Sequence, residues 1–226
     1  RQGLAVRDRV MDAEGQPLVG LLGANHRIDF DDFFLLAGRL GAGLEDVAFE
    51  PAFDLNPDAR IGADDIEVLG RNFGRGIAAP AGQDALEGHM QVTVSDVVTP
   101  DAPVEIKVRI DGVSGLSGYG LEWRYDPEIF AFAGVLEEAG IPGDGAALGV
   151  LADRDGLLAL AAYGGGATTD AVELTLRFRP LAAAAASPLR LVGAAVRQAG
   201  EVKQLAGTTL NLETLPAVYG LAANYP

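Results

Sequence analysis

The feature that most constrains this chain is an internal repeat offset by 33 residues. Ile28-Asp29-Phe30-Asp31-Asp32-Phe33-Phe34-Leu35-Leu36 aligns with Ile61-Gly62-Ala63-Asp64-Asp65-Ile66-Glu67-Val68-Leu69, and each copy runs on to a glycine, Gly41 or Gly74. In the second copy the preceding loop carries oxygen-bearing side chains at alternate positions: Asp54, Asn56 and Asp58. Asp65 follows at the twelfth position, where one helical turn brings its carboxylate back to the same point, and the Arg60 carbonyl falls at the seventh. Clustered carboxylates repel one another unless a hard cation that takes six to eight oxygens sits among them, so the expected ion is Ca²⁺. The same acids also suit a solvated turn at a helix N-terminus, since Asp64 and Asp65 favour that end of the helix dipole. Ala59 occupies the sixth position, where glycine is usual, and predicts a left-handed residue with a Cβ.

The upstream loop has lost most of its acids. Leu21, Gly23 and Asn25 stand where Asp54, Asn56 and Asp58 stand, leaving Asn25 and Asp32 as the side-chain ligands of a weaker second metal site. Each repeat predicts one short helix, with Phe33, Leu36, Ala37 and Leu40 on one face of the first and Ile66, Leu69 and Phe73 on one face of the second. Phe33-Phe34-Leu35-Leu36 is more apolar surface than one stripe can bury inside so small a unit. Phe34, Leu35 and Val68 are therefore expected to meet a protein partner. A duplicated calcium loop and helix with Asp32 and Asp65 at the twelfth position resembles a dockerin, an EF-hand-like helix pair; the resemblance implies Ca²⁺ and a cohesin partner.

After Met90 the periodicity changes from helical to alternating. Segments 91–97, 104–110, 120–125, 129–135, 147–152, 157–163, 172–179, 189–197 and 208–212 read as short strands of an antiparallel β-sandwich or jelly roll. Trp123-Arg124-Tyr125-Asp126-Pro127 reads as a strand ending in a corner, with Asp126 capping the turn and Pro127 presetting φ. This corner and the strand order resemble a cohesin over about 90–212. The fold class expected is thus α+β multidomain: a tail or hairpin over 1–18, a dockerin-like helix pair over 19–76, a linker over 77–89 and a cohesin-like sandwich over 90–213. Residues 214–226 resemble the start of a type IX secretion C-terminal sorting domain, with Pro216, Tyr219, Leu221, Asn224, Tyr225 and Pro226 filling its pattern. That resemblance implies a secreted, extracellular protein attached to the cell surface. Beginning at Arg1 without Met, the sequence reads as an excised fragment.

The net charge is −15, with 8 basic and 16 acidic groups in residues 1–88 and 9 and 16 in residues 89–226. Such a chain repels phosphate backbones and anionic lipid, so neither nucleic acid nor membrane insertion is expected. Cysteine is absent, which removes thiol catalysis and disulfides. No nucleophile elbow or phosphate loop appears; His26 and His89 lack catalytic neighbours, and Ser114, Ser117 and Ser187 read as turn residues. The expected function is non-catalytic: a calcium-dependent dockerin–cohesin-type interaction within or between chains. The alternative is a carbohydrate-binding or adhesive sandwich with the calcium module as spacer, although one Trp and five Tyr supply few rings for a glycan platform.

Overall fold

The computed structural model describes residues 10–76 apart from 13, 24 and 26, and residues 85–86, 89–94, 103–139, 147–165, 167–181, 189–205 and 210–211. The expected sorting segment over 214–226 lies outside them, as does His26. Among the described residues two helices, α1 (Phe30–Ala37) and α2 (Ala63–Asn72), precede ten strands: β1 (Ala85–Leu86), β2 (His89–Val94), β3 (Val104–Arg124), β4 (Phe130–Ala139), β5 (Ala147–Arg154), β6 (Leu157–Tyr163), β7 (Thr169–Pro180), β8 (Arg190–Gln198), β9 (Glu201–Leu205) and β10 (Leu210–Asn211). Among the described residues no helix is long and apolar enough to cross a membrane.

The two strands expected at 104–110 and 120–125 are one strand of 21 residues, β3. Its first half pairs with β2 and β7, and β4 lies beyond β7; its second half pairs with β6 and β8, extended by β5 on one side and β9 on the other. The register breaks between Asp111 and Leu116, where Gly112 and Gly115 take φ of 74° and 70°. Left-handed glycines at a bulge let one strand turn from one layer into the other. Ser114 and Ser117 fall inside β3 and not in turns. β1 lies within the expected linker and pairs in parallel with β9, and His89 opens β2.

Val104, Ile106, Val108 and Ile110 from the first half of β3 meet Tyr119, Leu121 and Trp123 from the second half in one core, with Leu174, Leu176 and Phe178 of β7 and Leu158 and Leu160 of β6. Alternation is what a layer with one apolar face requires. The corner after β3 forms as expected: Asp126 accepts from Glu128 N at 2.9 Å and its carbonyl accepts from Phe130 N at 2.9 Å. Asp155 and Gly156, at φ of 51° and 72°, make the tight turn between β5 and β6. That hairpin sets up the outer face on which the helices sit.

Candidate docking interface and calcium loop

The repeat is reproduced in the bonds of its twelfth-position carboxylates and in its backbone stitching. Asp32 Oδ1 accepts from Leu22 N and Gly23 N at 2.6 and 2.7 Å, and its other oxygen accepts from Asp29 N at 2.9 Å. Asp65 does the same for Leu55 N, Asn56 N and Gly62 N, at 2.6, 3.2 and 2.7 Å. Each twelfth-position carboxylate thus closes its loop and caps the helix that follows. The two copies are also cross-stitched. Ile28 exchanges N–H and carbonyl bonds of 2.8 Å with Arg75 and Gly74, and Ile61 exchanges the equivalent 2.8 Å bonds with Ala42 and Gly41. The result is a pseudo-twofold unit whose interior holds Ile28, Phe33, Leu36, Ile61, Leu69 and Phe73.

In the second loop, Asp54 accepts from Asp58 N and Ala59 N at 3.0 and 2.9 Å, Asn56 accepts from Asp58 N at 3.2 Å, and Asp58 accepts from Arg60 N at 2.9 Å. Ala59 has φ of 71°, the left-handed conformation that the sixth position demands. Loop shape and donor chemistry fit a hard divalent cation, with Asp54, Asn56 and Asp58 on the loop and Asp65 buried beneath it. The carboxylates here are engaged by the loop's own N–H groups, and among the described residues no three His, Cys, Asp or Glu side chains converge at metal-binding distance. The first loop offers fewer side-chain oxygens: Leu21 and Gly23 supply none, and Asn25 accepts from Arg27 N at 3.2 Å while its amide nitrogen donates to Asp29 and Asp31 at 2.8 and 3.3 Å.

Burial pushes the Asp32 carboxyl up to about 6, against the lowering by the Gly23, Asp29 and Leu22 N–H groups, with the Asp29 charge adding to the rise. The folded value lies above the ordinary 3.8, so the stability from this group is full below about pH 4 and is lost as pH rises through 6. In chelator, urea unfolding is expected to show a loss on the order of 3 kcal/mol between those limits, and Asp32→Asn should remove it.

The helix pair lies on the outer face of the second layer, with α2 over β5 and α1 over β6 and β9. The centre of that face carries only small residues, with Leu151, Leu157, Tyr163 and Val202 packed around it. Gly118 and Gly120 of β3, Ala159 and Ala161 of β6 and Ala195 of β8 face outward, opposite the large inward residues. A Cβ on Gly120 would fall 2.4 Å from the Phe30 ring, and one on Gly118 would fall 2.6 Å from Phe34 Cε1. On the other helix a Cβ at Gly70 would fall 2.0 Å from the Leu151 carbonyl oxygen. Arg154 donates to the carbonyls of Gly70 and Phe73 at 2.8 and 2.9 Å, a cationic cap on the C-terminus of α2. Arg27 pairs with Glu122 at 3.1 Å, and Arg124 reaches the same carboxylate at 3.3 Å.

Of the residues expected to meet a partner, Phe34 is buried on the sheet. Leu35 and Val68 are not part of this contact: Leu35 is 37% exposed, and Val68 is half-buried outside the interface cluster. Residues one apart on a helix point about 100° apart, so turning Phe30, Phe34 and Ala37 inward turns Leu35 outward. Sequence reasoning missed Arg27, Phe30, Gly70, Gly118, Gly120, Glu122 and Arg154. The alternation of Gly118-Tyr119-Gly120-Leu121 was the available signal, because a glycine inside a strand marks close approach by another element.

No protein-family model and no curated protein matches the chain. Solved structures similar to it include the cohesin module of a family 33 glycoside hydrolase from Clostridium perfringens, 17% identical with a TM-score of 0.41, covering 52% of this chain and 89% of that one. The second of the type II cohesin modules in a cellulosomal adaptor scaffoldin of Acetivibrio cellulolyticus is 13% identical with a TM-score of 0.44, covering 55% of this chain and 93% of that one. The sixth cohesin of that organism's scaffoldin B, solved in complex with a Cel5 dockerin, is 19% identical with a TM-score of 0.42, covering 54% and 94%.

Proposed function

We propose that this chain is a non-catalytic, extracellular protein-binding element in which a dockerin-like helix pair is the ligand of a cohesin-like sandwich, engaged within the same chain. The observation that carries this reading is the small-residue centre of the outer face of β3, β6 and β8, whose Gly118 and Gly120 receive the rings of Phe34 and Phe30. A sheet exposed to water would present polar side chains there; this one presents glycine and alanine at positions that helix side chains fill.

In the same proposal Asp54, Asn56, Asp58, the Arg60 carbonyl and Asp65 hold Ca²⁺. The ion would neutralise their charge and stiffen the loop. The chain's own residues do the rest: Asp65 fixes the start of α2, and Arg154 grips its other end.

A protease site placed between residues 78 and 83 of the full chain tests the docking. After cutting, the two pieces are expected to co-elute on gel filtration in calcium, because the contact is apolar and carries a partly buried ion pair. Pieces that separate at micromolar concentration would reject the reading.

A further inference from the structure

The helix pair is a near-twofold object, so it has two ways to lie on a flat receptor. We infer that the sheet face reads a signature present on one side only, Arg27-x-x-Phe30-x-x-x-Phe34, and so accepts the helix pair in a single orientation. This rests on the docking reading above and adds what the face selects.

Each interface residue on one helix has a mate 33 positions away on the other copy of the repeat. Phe30 and Phe34 correspond to Ala63 and Glu67, so the turned-over module would leave the Gly120 position unfilled and set a carboxylate on the Gly118 position. Gly70 corresponds to Ala37. Turned over, the Ala37 methyl would meet the Leu151 carbonyl where a Cβ has only 2.0 Å. Arg27 alone has an equivalent, Arg60, so the ion pair with Glu122 cannot by itself choose the orientation. The aromatic pair and the side-chain-free contact at Gly70 make that choice. A helix ligand from another chain that competes for this face must therefore carry an arginine, an aromatic three residues on and a second aromatic four further, beside a helix with a glycine at the contact.

The chain has no cysteine, so spin labels can be set at R71C on α2 and V150C on β5, both exposed positions. In the full chain one distance population is expected; two populations would overturn the inference. A second measurement uses two charge removals in the linker-cut chain. Arg27→Gln should weaken association of the pieces roughly tenfold, since it strips a buried carboxylate of one partner, while Glu67→Gln, at the exposed mate of Phe34, should change it less than about twofold. Equal effects of the two would also overturn it. Pieces that co-elute yet show two distances reject the single orientation and leave the docking standing, whereas pieces that fail to co-elute reject the docking itself.

Discussion

Gly70→Ala should release the helix pair from the sandwich, although by helix propensity alone it ought to stabilise. In an isolated helix the change is worth about 1 kcal/mol in favour of alanine. Here the new Cβ meets the Leu151 oxygen at 2.0 Å and its carbonyl carbon at 3.0 Å. Both belong to backbone, so neither can step aside as a side-chain tip would. The helix must lift, and lifting it lengthens both Arg154 bonds to the α2 C-terminus and opens the contacts of Phe30 and Phe34. Overpacking of this kind costs on the order of 3 kcal/mol, which exceeds the propensity gain. Urea unfolding of the full chain is expected to split into a weak transition for the helix pair and a later one for the sandwich. Gly149→Ala, where a Cβ would meet nothing within 4 Å, is the control and should leave the curve unchanged. A single unshifted transition for Gly70→Ala would mean that the packing of α2 on β5 contributes nothing to holding the two parts together.

The sequence showed the repeat and the inward faces of the strands, because both are written in large or charged residues. Ile28, Ile61, Asp32 and Asp65 announce themselves by spacing, and Val104-x-Ile106-x-Val108-x-Ile110 by period two. The docking face was illegible for the opposite reason. Gly118, Gly120, Ala159, Ala161 and Ala195 leave no hydrophobic signal, and their meaning appears only when β3, β6 and β8 are side by side under the helices. The apolar run Phe33 to Leu36 was legible as an excess but not as an assignment: Phe33 and Leu36 close the helix pair, Phe34 goes to the sheet and Leu35 faces outward. β9 escaped notice because Glu201-Val202-Lys203 offers too few apolar residues to mark a strand. The merging of two expected strands into β3 depended on Gly112 and Gly115, which ordinarily end a strand and here bend one.

Asp65→Ala and Asp32→Ala should destabilise the chain alike and respond to calcium differently. Both carboxylates are fully buried, and each satisfies three backbone N–H groups. Removing either leaves those donors without their acceptor in a partly buried loop, at roughly 1–3 kcal/mol for each one that water cannot reach, so a loss on the order of 3–5 kcal/mol is expected for both. The metal breaks this equivalence. The second loop keeps Asp54, Asn56 and Asp58 around Asp65, whereas the first has Leu21, Gly23 and Asn25 at those positions around Asp32. Millimolar Ca²⁺ should therefore raise the thermal midpoint of the wild type and of Asp32→Ala, and leave that of Asp65→Ala where chelator puts it. A wild-type midpoint indifferent to calcium would remove the ion from the account and leave Asp65 as a helix cap. A response lost in Asp32→Ala but kept in Asp65→Ala would move the ion to the first loop. Because the Asp65 side chain both caps α2 and closes the loop, an ion bound there acts directly on the helix whose Gly70 rests against Leu151, so calcium would strengthen docking through α2 before α1 feels it.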